Sequence, residues 1–262
     1  MTETMVTFPQ GAVAGVGTVM RVEGDIVVVD RTPFHPVDHT WPDQPGDSGF
    51  LVHGEERVAV VEAVMAAVSD DGEFAVGAAI PVKRGAEGWT WLVGHRVSDA
   101  GAHWLAPGTD VELAVDAERR AALSRGHTAC HLASLALDAA LADLWRKDPG
   151  TDPLGAPDFE GRANQTSFIH EDGAVDEYRL GKSLRKAGFD TEGLAASLGS
   201  VRRVSTRSWP RGSPRAARAA SRQTVRGSPI GGAGGVRCPR ARRSSPAEGR
   251  TWTRSPRSRR SR

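Results

Sequence analysis

From His127 to Trp145 the chain is rich in alanine and leucine and contains neither proline nor glycine. Apolar residues recur there at three- and four-residue steps (Leu132, Leu135, Leu137, Ala140, Leu141, Leu144), the period of a helix with a buried stripe. The segment reads as a helix, so the rest of the chain must supply a surface for its apolar face. A helix also stacks residues four apart on one face. His127 and His131 would then present two imidazoles to one point, which is half of a zinc site. Zinc takes four ligands, or three and a water. The metalloprotease signature needs Glu beside the first His, but Thr128 stands there, so that reading fails. Two helix histidines that merely pack or face solvent are the plain alternative.

The chain before this helix reads as strands. Residues 16–21 and 25–30 are β-branched runs around Glu23-Gly24-Asp25, the pattern of a hairpin. Residues 32–49 hold four prolines and two glycines, which forbid regular structure and predict a long loop. Such loops in compact domains are usually functional or disordered, and the rings of Phe34 and Trp41 argue for order. Strands are expected over 50–52, 58–64, 74–79, 89–93 and 111–115. Asp116 is a plausible N-cap for a helix over 117–124, with Glu118 favouring the helix dipole. Gly126 is expected to bend or restart that helix. Beyond it come a loop over 148–156, a strand over 166–169 and a turn at Glu171-Asp172-Gly173. Short helices follow over 180–187 and 191–198, closed by Gly188 and Gly199. The fold class is α+β.

Charge divides the chain near Ser200. Residues 201–262 carry 18 Arg, no Lys and one acidic residue, Glu248, a net charge of +17. The whole chain has only +2, so residues 1–200 carry −15. No apolar run reaches membrane-spanning length. Residues 1–10 lack the basic and apolar regions of a secretory signal. Cys130 and Cys238 lie in differently composed regions and do not suggest a disulfide framework. The expected location is the cytoplasm, with no membrane partner.

Loop and helix together resemble a known family: the editing domain of alanyl-tRNA synthetase and the free-standing AlaX-type proteins. Thr32, Phe34, Pro36, Gln44, Asp47 and Gly49 match its T-x-F-x-P…G-G-Q-P-x-D-x-G loop. His127-Thr128-Ala129-Cys130-His131-Leu132 matches its H-T-A-x-H-L. The likeness spans about residues 14–200, as a diverged branch. His35 stands where Tyr is usual, and Pro42-Asp43 replaces the Gly-Gly before Gln44. The resemblance implies a β-rich, barrel-like subdomain over 1–115. Residues 116–200 would then begin an α/β two-layer editing domain of the threonyl/alanyl-tRNA synthetase type. It implies a zinc-dependent deacylase acting on mischarged tRNA, with tRNA as partner and His127 and His131 as metal ligands. Gln44 and Asp47 become candidate catalytic residues of the pocket wall, and Thr32, Ser167 and Arg179 candidate substrate-binding residues. His35 and His39 form a second His-x-x-x-His, read as a loop surface feature before replacement metal ligands. Cys130 points away from the histidine pair and is expected to be buried.

The family completes its zinc site with a later C-x-x-x-H, usually inside C-G-G-T-H. Here Arg242 stands four residues after Cys238, and no His follows His170. Residues 201–262 read plainly as a disordered Arg/Ser/Gly/Pro tail that binds nucleic acid through counterion release. An all-Arg composition is also what GC-rich DNA yields out of frame. Joining the last base of each codon to the first two of the next across residues 245–253 permits Pro-Cys-Gly-Gly-Thr-His-Leu-Asp. The same shift across residues 201–209 permits Ala-Ala-Arg-Val-Asn-Thr-Leu-Val-Ala, a continuation of the preceding helix. A frameshift near Ser200 is therefore the favoured reading. The written chain is expected to bind zinc weakly and to lack activity. Two function classes stand: an editing hydrolase, and a non-catalytic nucleic-acid-binding protein working through its Arg-rich tail.

Overall fold

The computed structural model describes residues 1–195. The Arg-rich tail with Cys238, the expected helix end at 196–199 and the shifted-frame segment lie outside the described residues. Nine strands precede Asp116: β1 (Met5–Val6), β2 (Ala14–Glu23), β3 (Ile26–Val29), β4 (Arg31–Thr32), β5 (Gly49–His53), β6 (Glu56–Ser69), β7 (Phe74–Val76), β8 (Trp89–Val97) and β9 (Asp110–Val115). The main sheet runs β5-β9-β2-β3-β8-β6, and β6 pairs back onto β5. These antiparallel strands therefore form a closed ring, with β7 added on the outside of β6. Closure removes the open edges that would otherwise invite pairing with other chains. Val19, Val27, Leu51, Val60, Val93 and Leu113 fill the interior together with Phe34 from the loop. The expected hairpin is β2–β3, with Glu23 opposite Ile26.

One polar pair sits in this apolar interior. His95 and Thr32 are both 0% exposed. The His95 Nδ1–H donates to the Val27 carbonyl at 2.9 Å, leaving Nε2 to accept from the Thr32 hydroxyl at 2.8 Å. The Thr32 oxygen in turn accepts from the Phe34 N–H at 3.1 Å. Burial pushes the His95 pKa from 6.5 down to about 4. The folded state thus refuses a proton that the unfolded chain accepts. Stability should fall as pH drops from about 6.5 towards 4, by up to about 3 kcal/mol. Urea unfolding of the wild type and His95→Phe across this range checks it: the variant should lose this component of the slope.

The helices come second, and the architecture is mixed α+β with a mostly antiparallel sheet and few helices. Asp116 caps α1 (Ala117–Ala140) by accepting from the Arg119 N–H. The helix does not restart at Gly126 but runs through it. The hairpin of β10 (Asn164–His170) and β11 (Gly173–Tyr178) crosses α1 at that residue. A Cβ on Gly126 would lie 2.5 Å from the His170 carbonyl oxygen and 2.6 Å from that of Gly173. Glycine is there to let two backbones touch. The helix also stops short of Trp145, at Ala140, and a 3-10 turn follows over Ala142–Leu144. β11 was not foreseen.

Two short helices, α2 (Glu160–Ala163) and α3 (Lys182–Lys186), stand before and after the β10–β11 hairpin in the chain. Gly188, at φ 107°, follows α3 as expected of its closing residue. Residues 191–195 are helical, as expected of the start of the last helix. Leu137, Leu141, Phe159, Tyr178, Leu184 and Phe189 make the core of this part. Among the described residues no helix is long and apolar enough to cross a membrane.

Candidate functional site

α1 and the proline-rich loop meet along one side of the helix. His127 and His131 stand one turn apart, their ring centroids 4.7 Å from each other. Gln44, 83 residues upstream, reaches them: its Oε1 lies 2.7 Å from His127 Nδ1. An amide oxygen only accepts, so His127 carries its proton on Nδ1 and keeps a lone pair on Nε2. That Nε2 lies 2.9 Å from His131 Nε2, which then donates to it. Burial first, and the neighbouring His131 second, lower the His127 pKa, while Asp43 opposes them. His127 is half-buried and His131 exposed, so the pair opens to solvent.

The loop is held to α1 by two arginines that sequence reasoning missed. The Asp47 carboxylate is 2% exposed. It accepts from the Arg120 Nε at 2.7 Å, from an Arg120 Nη, and from the His35 N–H. Arg120 also donates to the Pro33 carbonyl at 2.8 Å, and Arg119 to the Gly46 carbonyl at 2.9 Å. On the barrel side, the Ala63 N–H donates to the Asp47 carbonyl at 2.8 Å. Gly46 presses against the same strand: a Cβ there would lie 1.8 Å from the Ala63 oxygen. Asp47, expected in the pocket wall, is thus wholly engaged in fastening the loop. Arg119 and Arg120 occupy the first turn or so of α1, where the helix dipole disfavours cations. Two arginines there, downstream of a buried-loop aspartate, were the available signal.

The other expected residues have different surroundings. Thr32 is committed to His95 inside the barrel. The Ser167 hydroxyl donates to Asp176 at 2.6 Å. Arg179 is exposed, and its N–H donates to the Ala163 carbonyl at 2.7 Å. The structure therefore brings together Gln44, His127 and His131, with Asp47 close by along the loop, and gives Thr32, Ser167 and Arg179 other partners. His35 and His39 do not converge. His35 packs edge-on against Phe8, and His39 packs against Trp91 with its Nε2 3.3 Å from the Val82 carbonyl. Cys130 is buried and its thiol donates to Asp176. Burial, then the Asp176 charge, pushes the thiol up to about 12, which leaves it inert.

The pair fits one half of a zinc centre. Two nitrogens on a tetrahedral zinc lie about 3.3 Å apart, given the usual Zn–N distance. The Nε2 atoms are already at 2.9 Å, and Gln44 fixes the ring tautomer as outer partners of metal-bound histidines do. No group of three or more His, Cys, Asp or Glu side chains suited to a metal occurs among the described residues. Neither a scan against protein-family models nor a search of curated proteins finds a match to this chain.

Proposed function

We propose that residues 1–195 are the body of an alanyl-tRNA editing protein of the AlaX type: a barrel followed by a two-layer editing domain that hydrolyses the ester of mischarged tRNA. The contact between Gln44 and His127 carries this reading. Loop and helix motifs far apart in sequence have no local reason to meet. In the family they share a site, and here they lie 2.7 Å apart.

In this reading His127 and His131 would hold zinc through Nε2, His131 giving up the proton that it donates to His127 here, and zinc when bound would supply Lewis-acid polarisation of the ester. Gln44 holds the His127 proton on Nδ1, so that the lone pair faces the metal. The amide nitrogen of Gln44 is left to orient a small amino acid. The neutral state of His127, favoured by its burial, suits a ligand, because metal binding competes with protons. The third and fourth ligands would be the Cys and His of the shifted-frame C-G-G-T-H, so the written chain is expected to be inactive. A chain with the frame restored after Ser200 should bind about one zinc, as a closed tetrahedral site would. Elemental analysis checks this. No zinc, or full zinc retention in a His127→Ala/His131→Ala double variant, sinks the assignment.

A second reading rests on the 18 arginines of residues 201–262, which would bind polyanions through counterion release. It predicts tRNA affinity that falls steeply with salt and disappears on truncation after Gly199.

A further inference from the structure

Arg120, His127 and His131 are seven and four residues apart, spacings that return to nearly the same side of a helix at 3.6 residues per turn. Arg120 and His127 are therefore about 10 Å apart along the axis of α1. Their loop partners, Asp47 and Gln44, are three residues apart, a span of about 10 Å when extended. The two segments match in length. Asp47 meets Arg120 and Gln44 meets His127, while Arg119, one residue further from His127, holds the Gly46 carbonyl.

From this match we propose that Arg120 and Asp47 are positioning residues: their ion pair sets the register of the loop on α1, and so delivers Gln44 to His127. The pair touches neither imidazole. It acts through the short segment 44–47, pinned from the other side by Gly46 against Ala63. A slip of one residue would carry Gln44 past His127 and release the ring to exchange between tautomers. The metal-site reading supplies the consequence for function, but the register itself stands without it.

The test is nitrogen NMR of the full chain with labelled histidine, which distinguishes Nδ1–H from Nε2–H rings. It is run near pH 8, where histidines are largely neutral. His95, whose Nδ1–H donates to Val27 inside the barrel, serves as a fold reporter in the same spectrum. In the wild type, His127 should show the Nδ1–H pattern. Gln44→Ala should abolish it. Arg120→Met should abolish it equally, Arg120→Lys should restore it in part, and the His95 signal should persist in each. Arg125→Met, which removes an exposed pair with Asp172, should change nothing. If Arg120→Met disturbs the His95 signal, Asp47→Asn, which keeps the side-chain shape, replaces it with the same expectation. An unchanged His127 tautomer in the Arg120 or Asp47 variant beside an intact His95 signal overturns the proposal, as does an unchanged tautomer in Gln44→Ala. Failure of the editing assignment would look different: these spectra as expected, and no zinc bound by the frame-restored chain.

Discussion

Asp47→Ala should destabilise the fold by about 3–5 kcal/mol, the usual effect of removing one partner from a buried ion pair. Three donors lose their acceptor at once: two N–H groups of Arg120 and the backbone N–H of His35. The Arg120 side chain is only 14% exposed, so its charge cannot simply rehydrate. The variant should unfold at markedly lower urea, and α1 should lose protection first near its N-terminus. By contrast, Arg125→Ala breaks a solvent-exposed pair, with members 47% and 50% exposed, and should leave stability nearly unchanged. Equilibrium unfolding of the two variants side by side separates the pairs. Equal effects would mean that the Asp47 pair is not the fastening of the loop.

Asp138→Asn should move stability the other way. Asp138 lies on α1 at 2% exposure, and one oxygen accepts from the Glu160 N–H at 2.8 Å. Burial pushes its pKa from 3.8 up to about 7, and the Asp158, Glu160 and Asp152 charges add to this, against the Glu160 hydrogen bond. A raised carboxyl pKa means that the fold holds a proton which the unfolded chain has released. Stability from this group is therefore full below pH 3.8 and lost as pH rises towards about 7. At pH 8 the ionised group costs up to about 4 kcal/mol. Asparagine keeps the acceptor without the charge, so the gain should appear at pH 8 and vanish near pH 4. This window overlaps that of His95 with the opposite sign, so each single variant should unmask the slope of the other. A variant no more stable than wild type at pH 8 would show that Asp138 is relieved by some other route.

What could be read in advance was what depends on local pattern. Strand runs before Asp116, the N-cap at Asp116 and the shared face of His127 and His131 follow from spacing and residue type alone. Resemblance, not spacing, brought Gln44 to the same site. Features fixed by distant partners escaped. Gly126 looked like a helix break because the crossing hairpin leaves no trace at that position. β11 was missed because its apolar alternation is broken by Asp176, a residue 1% exposed that its neighbours hold by hydrogen bonds. Thr32 read as lining the pocket or merely ending a strand, which it does in β4, and Asp47 as a pocket-wall residue. Their partners, His95 and Arg120, stand 63 and 73 residues away, and only the folded chain shows that both side chains are already engaged.

As proposed above, this body would edit mischarged tRNA once its metal site is complete. The most direct measurement is deacylation of seryl- and glycyl-tRNA bearing the alanine acceptor stem. It compares the chain as written, its truncation after Gly199 and the frame-restored chain. Only the restored chain should hydrolyse these esters, sparing alanyl-tRNA by comparison, and Gln44→Ala should alter its preference among amino acids. A restored chain that deacylates none of the small aminoacyl-tRNAs would contradict the editing assignment. A written chain that does so while the truncation does not would make residues 201–262 a working, in-frame element.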